Sequence, residues 1–429
     1  MNASYLAQIA AAICALASVT LAEPSGFITF SIAPRLVDFG VGEVSVTGGP
    51  PRMLDYAGGT TYYGPFWGVD APPFLGELSV MARFKPAGGV VGIALLDRTG
   101  GTHTVIATDT TNSTRHPGIS FDGRRIAYVR RNSTPGEKDE LHVLNSSGQF
   151  DSTIFTASYD FMSISRPRFH PDGKTIMFTE YNGMADYSSV YTIPVTGGAA
   201  RIVTGLPVDV GQAVYSPDSR YIASIGDPGG AKTLYIGKTD GTPAQPVNLF
   251  GEGAYYPCFS PDSRYVVVGG DSRLNIVRVS DFSIVQRIVL TNYDYFGLCW
   301  HLGARQSEGG ISKLKITRKK IAVKLVGFMP GGLPAAGLAQ IDRTVIPLDT
   351  ESLWVNKKDK KYLYKDKTTK RSAKIILKKG KATFAAKKLS LSEGDDYRVT
   401  NTVPVGINAG DTSIAETFFI DEKGRYKAK

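Results

Sequence analysis

The sequence predicts an all-β protein: a β-propeller of six four-stranded blades, with seven as the alternative count, followed by a β-sandwich. Three observations carry this expectation. The stretch Tyr256-Pro-Cys-Phe-Ser-Pro-Asp-Ser-Arg-Tyr-Val-Val-Val-Gly-Gly270 has sisters beginning at His116, Arg166 and Gln212, and the Asp of each copy falls at Asp122, Asp172, Asp218 and Asp262, at spacings of 50, 46 and 44 residues. A self-similar period of that size marks an array of units, none of which buries its apolar face alone. Within each copy a short apolar strand runs into Pro-Asp-Gly or Pro-Asp-Ser and a second apolar strand follows at once, so the two are antiparallel neighbours. Finally, the chain changes character near Ser307-Glu-Gly-Gly-Ile-Ser312: residues 310–429 hold 26 Lys and Arg against 12 Asp and Glu, whereas the preceding residues hold 23 against 27.

Taken in order, residues 1–22 read as a secretory signal cleaved near Ala22, an Ala-rich apolar run too short for a comfortable membrane span and ending in small residues. The segment Met-Asn-Ala-Ser ahead of it contains no Lys or Arg. No other apolar run has the ~18 residues a membrane helix requires, so the mature chain is expected to carry no integral membrane segment and to be secreted or periplasmic. Residues 23–306 are assigned to the propeller. Gly26–Ile32 alternates like a strand that could complete the last blade, and Gly48–Pro73, rich in Gly, Tyr and Pro, reads as loops. Phe84–Ala94 and Leu298–Gly303 read as degraded copies that bring the four clear ones to six, while a blade built from residues 26–70 alone would give seven. In the clear copies, Val190–Pro194 with Ala200–Val203, and Thr233–Gly237 with Gln245–Leu249, supply the third and fourth strands. Residues 311–429 alternate at period two in Leu314–Thr317, Ile321–Val326, Ala373–Leu377, Ala382–Ala385 and Glu416–Ile420, which reads as a sandwich of about seven strands.

The repeats resemble the WD-like repeats of TolB-type β-propellers: Ser216-Pro-Asp-Ser-Arg220, Ser260-Pro-Asp-Ser-Arg264 and His170-Pro-Asp-Gly-Lys174 carry the signature, and Phe121-Asp-Gly-Arg124 is read as lacking its Ser-Pro. The resemblance covers residues 75–305. It implies the propeller fold; for function it implies a protein-docking platform, a peptidase appendage or, in some relatives, a sugar lyase with His ligands to a metal.

The chemistry is sparse. The five His show no metal-ligand spacing, and there is neither a Gly-x-Ser-x-Gly elbow nor a phosphate loop. His170 and His301 occupy the turn position held by Ser216 and Ser260, where a side chain bonds local backbone. No catalytic residue, metal ligand or cofactor is assigned. Cys258 and Cys299 sit at the same offset of successive repeats, where buried free thiols are favoured over a bridge. The first position of each copy, His116, Arg166, Gln212 and Tyr256, is the candidate ligand-binding ring: first strands line a propeller's channel, and four polar side chains at its mouth suit an acidic or hydroxylated group. The lysine clusters Lys357-Lys358-x-Lys360-Lys361, Lys378-Lys379 and Lys387-Lys388 suit an acidic envelope surface, such as polysaccharide or anionic lipid, or simply keep sheet edges soluble. Nucleic acid is disfavoured by the export signal and the few interleaved aromatics. Asn112 and Asn132 head glycosylation sequons. The reading is an exported protein- or glycan-binding platform, with a polysaccharide lyase and a structural envelope component as the competing classes.

Overall fold

The structure, a computed structural model, describes residues 24–301 apart from 25, 35–39, 57–68, 73–77, 85–90, 98–101, 110–112, 122, 132–136, 146, 147, 149, 150, 161, 228, 229, 271, 291 and 292, and beyond them the strands between 310 and 427. The signal segment 1–22, Asn112, Asn132 and the clustered lysines Lys357, Lys358, Lys360, Lys379 and Lys388 lie outside the described residues. Among the described residues no helix is long and apolar enough to cross a membrane.

Up to His301 the strands are β1 (Phe27–Pro34), β2 (Gly40–Ser45), β3 (Arg52–Tyr56), β4 (Val69–Asp70), β5 (Leu78–Phe84), β6 (Val91–Asp97), β7 (Thr102–Asp109), β8 (Ser113–Ile119), β9 (Arg125–Arg131), β10 (Glu140–Asn145), β11 (Ser152–Thr156) and β12 (Met162–Phe169). They continue as β13 (Thr175–Asn182), β14 (Tyr187–Pro194), β15 (Arg201–Ile202), β16 (Val210–Tyr215), β17 (Tyr221–Gly226), β18 (Thr233–Lys238), β19 (Gln245–Pro246), β20 (Tyr255–Phe259), β21 (Tyr265–Gly269), β22 (Arg273–Arg278), β23 (Ile284–Val289) and β24 (Tyr293–His301). Five antiparallel sheets are each made of four consecutive strands, β4–β7, β8–β11, β12–β15, β16–β19 and β20–β23. One further sheet is composite: its order is β24-β1-β2-β3, so the start of the chain pairs with the end of the ring. Residues 26–70 therefore do not form a blade alone, which removes the seven-blade alternative; their three strands need β24 as the fourth. The first strands touch in cyclic order, β4, β8, β12, β16, β20, β24 and back to β4.

The repeat motif builds the turn between the first two strands of a sheet. Ser216 N–H donates to Tyr221 O at 2.9 Å, its Oγ accepts from Tyr221 N–H at 2.8 Å and donates to Asp218 Oδ1 at 2.6 Å, and Asp218 in turn accepts from Arg220 N–H at 3.0 Å. Ser260 and Asp262 repeat this. The third turn residue is left-handed in each copy: Gly123 (φ 69°), Gly173 (66°), Ser219 (66°) and Ser263 (64°), which is why Gly alternates with a small polar residue there. Ser120 fills the Ser position, accepting from Arg125 N–H at 2.9 Å. The copy taken to lack Ser-Pro thus lacks only the Pro, with Phe121 in its place.

The core lies between sheets. Ile28, Phe30, Val44, Leu298 and Trp300 of the composite sheet pack on Val267, Leu274, Ile276 and Ile288 of the β20–β23 sheet. On its other side, Val41, Leu54 and Cys299 pack on Val69, Ala94 and Leu96. The outer strands β15 and β19 are two residues long, the latter ending in Pro246, so little free edge is presented there.

Beyond residue 301 the described residues form eleven strands in two antiparallel sheets. In the seven-stranded sheet the order is Trp354–Asn356, Lys361–Lys365, Ser372–Lys378, Lys381–Lys387, Lys320–Val326, Gly310–Thr317 and Arg425–Lys427. Thr344–Pro347, Gly337–Ile341, Thr402–Ala409 and Thr412–Phe419 form the other. The expected count of about seven strands is too low. Short strands such as Trp354–Asn356 and Thr344–Pro347 give too few alternations to read from sequence.

Trp300→Ala, which empties a fully buried site at the ring's closure, should destabilise the protein by about 3–5 kcal/mol. Ile202→Ala, on an exposed outer strand, should cost less than about 0.5 kcal/mol. Urea unfolding of the two variants checks the contrast.

Candidate functional site

The first strand of each repeat contains a β-bulge at the position sequence singled out. The register slips between Arg115 and Gly118, Ser165 and Arg168, Gly211 and Val214, and Tyr255 and Cys258. At each slip the first extra residue is left-handed: His116 (φ 50°), Arg166 (52°), Gln212 (52°) and Tyr256 (55°). β24 slips at the equivalent place, and there the residue is Gly297 (φ 71°). A left-handed backbone is unfavourable for a residue bearing a Cβ, yet four of the five positions carry large polar side chains. The bulge lifts these residues out of the ladder and re-aims them.

Side chains satisfy the backbone that the bulges release. Gln212 N–H donates to Thr179 Oγ1 at 3.1 Å, and Tyr256 N–H donates to Gln212 Oε1 at 2.7 Å. Gln212 is therefore partly a strut. The Arg166 guanidinium lies over the Tyr256 ring, 4.1 Å from its centroid, spanning the strand that carries Gln212. Burial pushes the Arg166 pKa down to about 10, opposed by Tyr256 and assisted by the like charge of Arg168. Among the described residues no carboxylate pairs with Arg166.

Arg166, Gln212 and Tyr256 line one small cavity of about 10 Å³ with Arg168, Pro257 and Leu298, room for about one water. His116 holds the same bulge position but does not line this cavity, so the structure brings three of the four ring residues together. Arg168, which sequence did not single out, lines both this mouth and a deeper axial cavity of about 50 Å³. Its Nη1 donates to Pro117 O at 3.0 Å and Pro167 O at 3.1 Å and lies 3.8 Å from Asp70 Oδ2. The signal for it was the second Arg of Arg166-Pro-Arg168. Asp70, which accepts from Ile119 N–H at 2.9 Å, is raised by burial, with Arg168 opposing.

The remaining His are dispersed. His170 stays local, with Nδ1 accepting from Asp172 N–H at 3.2 Å. His301 bonds across strands: fully buried, its Nε2 lies 2.8 Å from Thr29 Oγ1 on β1 and 3.2 Å from Glu43 Oε2 on β2. The reason is the composite sheet, which puts β1 and β2 beside β24. His142 bridges Asp151 (3.1 Å) and Glu140 (3.2 Å); burial disfavours its charged form, but the two carboxylates hold its pKa above the ordinary value. Among the described residues no group of three or more His, Cys, Asp or Glu is placed to hold a metal ion. Cys258 and Cys299 are free thiols. Burial pushes the Cys258 thiol up to about 12, assisted by the charge of Asp70.

Strand direction puts the bulges at the end of the ring where loops enter first strands and where second strands turn into third ones. Backbone bonds tie the two loop types together there: Asp227 N–H to Asp209 O, Ala254 N–H to Lys232 O, Ala157 N–H to Asp139 O. Among the described residues, most of the exposed large hydrophobic ones lie in these loops or at the strand ends beside them: Tyr159, Tyr181, Met184, Tyr187, Val208 and Phe250.

A closed ring of four-stranded sheets whose bulged inner strands gather polar groups at one end is a β-propeller. Its fold is similar to the crystal structure of TolB from Acinetobacter baumannii, with 18% identity and a TM-score of 0.53 over 68% of this chain and 71% of that one. It is also similar to a chain of the nidogen/laminin complex (10%, TM-score 0.50, 65% of this chain and 99% of that one) and to the putative TolB from Agrobacterium tumefaciens (15%, 0.45, 65% and 99%). At these identities the likeness is one of fold. No protein-family model and no curated protein matches the sequence.

Two outcomes follow. Arg166→Gly, which adopts the residue type of position 297, should be more stable than Arg166→Ala by roughly 1–2 kcal/mol, read by thermal denaturation. Iodoacetamide in mildly alkaline buffer should leave Cys258 and Cys299 unmodified in the native protein and label both in urea, read by peptide mass mapping.

Proposed function

We propose that this chain is an exported, TolB-like propeller of six blades, the composite sheet counted as one, that serves as a protein-binding platform of the cell envelope. Its working end is the one that carries the bulges, and the axial mouth takes an acidic side chain of the bound protein. The observation that carries this reading is Arg166. A desolvated guanidinium with no carboxylate partner among the described residues is costly, and it is held at a strained backbone position. Both costs are accounted for if an anion arrives from outside. The aromatic and methionine side chains around the same end favour protein over glycan as the source, because interface cores are enriched in Tyr, Phe and Met. The mouth, with room for about one water, is too small for a sugar ring, so the group it recognises meets it from outside. Export rests on the apolar segment at residues 1–22. The lyase alternative would need His116, His170 and His301 to converge, and each has a separate setting.

Affinity capture from envelope extract tests the reading, with Arg166→Met and Met184→Asp immobilised beside the wild type. A protein retained by the wild type and lost by both variants is expected, its affinity lowered about ten-fold or more by each, in the range of interface anchors. Arg166→Met should at the same time match or exceed the wild type in melting temperature, since it removes a partly buried charge that no carboxylate pairs among the described residues. Capture unaffected by either variant, or retention of oligogalacturonate with a divalent ion instead, defeats the proposal.

A further inference from the structure

The seven-stranded sheet beyond residue 301 separates its charge completely. Antiparallel partners lie on the same face of a sheet, and residues alternate faces along a strand. Lys427, Lys313 and Lys324 are successive register partners across three strands, and Lys320 stands opposite Lys387. Carrying the same alternation through Lys361–Lys365 and Ser372–Lys378 places every Lys and Arg of these seven strands, twelve in all, on one face. The strands contain no Asp or Glu. Trp354, Tyr362, Tyr364, Phe384 and Tyr426 all fall on the opposite face, with Leu314, Val323 and Ile375.

Solubility alone does not account for this pattern. A solvated face is served by mixed charges, and like charges directly opposite one another weaken a sheet. Here two such Lys pairs are adjacent in one row, Lys427 with Lys313 and Lys313 with Lys324, and none of the seven strands contributes a carboxylate beside them. We infer that this face docks on an anionic lipid surface. The Lys and Arg positions form a two-dimensional array, on neighbouring strands about 4.8 Å apart and at alternate residues about 7 Å apart along each strand. A leaflet of headgroups meets such an array everywhere at once, whereas a linear polyanion tracks one row. The absence of aromatics from the face removes the stacking platforms a single-stranded nucleic acid uses. The contact is therefore electrostatic and peripheral. It is independent of the axial mouth, and it would hold the propeller near a membrane without a spanning segment.

Co-sedimentation of the full chain with phosphatidylcholine vesicles, with and without phosphatidylglycerol, tests the inference. Binding is expected only with phosphatidylglycerol, and it should fall steeply with added salt. The triple variant Lys315→Gln, Lys324→Gln, Lys374→Gln should lose on the order of 100-fold in partitioning, roughly five-fold per charge. A second triple variant, Lys138→Gln, Lys174→Gln, Lys238→Gln, removes equal charge from exposed sites on the propeller and should bind nearly as the wild type does. Circular dichroism of both shows that they fold. Equal losses in the two variants, binding to neutral vesicles, or binding to soluble polygalacturonate but not to vesicles would overturn it.

Discussion

A ring of sheets is stable only if its last sheet is finished, and here that depends on one pairing, β1 with β24. The sheet before the junction and the sheet after it both pack on the composite sheet, so its loss would expose two apolar interfaces and not one. The pairing is reinforced by a polar rung that crosses all four strands: His301 on β24, Thr29 on β1, Glu43 on β2 and Arg52 on β3, the last donating to Glu43 Oε1 at 3.0 Å. A buried His with named partners specifies register in a way that apolar contact alone does not, because a one-residue slip would strand it among hydrocarbons.

The repeat unit was legible because its turn chemistry is local. Ser, Asp and the left-handed third residue satisfy one another within six positions, so the motif survives in sequence wherever the turn survives in space. What was not legible was long-range. His301 reads as a turn residue because its offset matches Ser260; its contacts with Thr29 and Glu43, on strands brought beside it only by closure, leave no mark in the sequence. The candidate ring was found by aligning first positions; that these positions are bulged and left-handed was not, since bulges leave no composition signal when the residue is Arg or Gln and not Gly. Arg168 and Asp70 were missed for the same reason as His301. Their relation exists only around the axis.

The mouth shows how a rigid ring tolerates a site it would otherwise disfavour. Arg166 combines a left-handed backbone, partial burial and a like charge nearby at Arg168. Arg168 shares the axis but is compensated, by two carbonyl oxygens and by Asp70. Two guanidiniums two residues apart thus differ in their surroundings: Arg168 has carbonyl oxygens and a carboxylate, while Arg166 has the Tyr256 side chain and, among the described residues, no carboxylate. Such local violations of good folding practice are where sites are expected, because the surrounding sheets supply the surplus stability that sustains them.

Charge divides the chain along the same boundary as the strand pattern. The residues up to 309 are slightly acidic and the remainder strongly basic. Within the basic part the twelve strand cations are not spread but sorted, one face cationic and the other aromatic and aliphatic. The clusters Lys357-Lys358 and Lys378-Lys379 are prominent in the sequence through adjacency in the chain. Adjacency matters little in a sheet, where neighbours along a strand face opposite ways and partners across strands share a face. Single lysines at alternate positions, unremarkable in the sequence, become a continuous surface once the register is set. On the two proposals made above, the basic sheet face and the propeller end, where Arg166 has Tyr256 but no carboxylate beside it among the described residues, are two separate recognition chemistries. One answers to any dense anionic plane, the other to the shape and charge of a particular group, so anchoring and selection need not compete for the same residues.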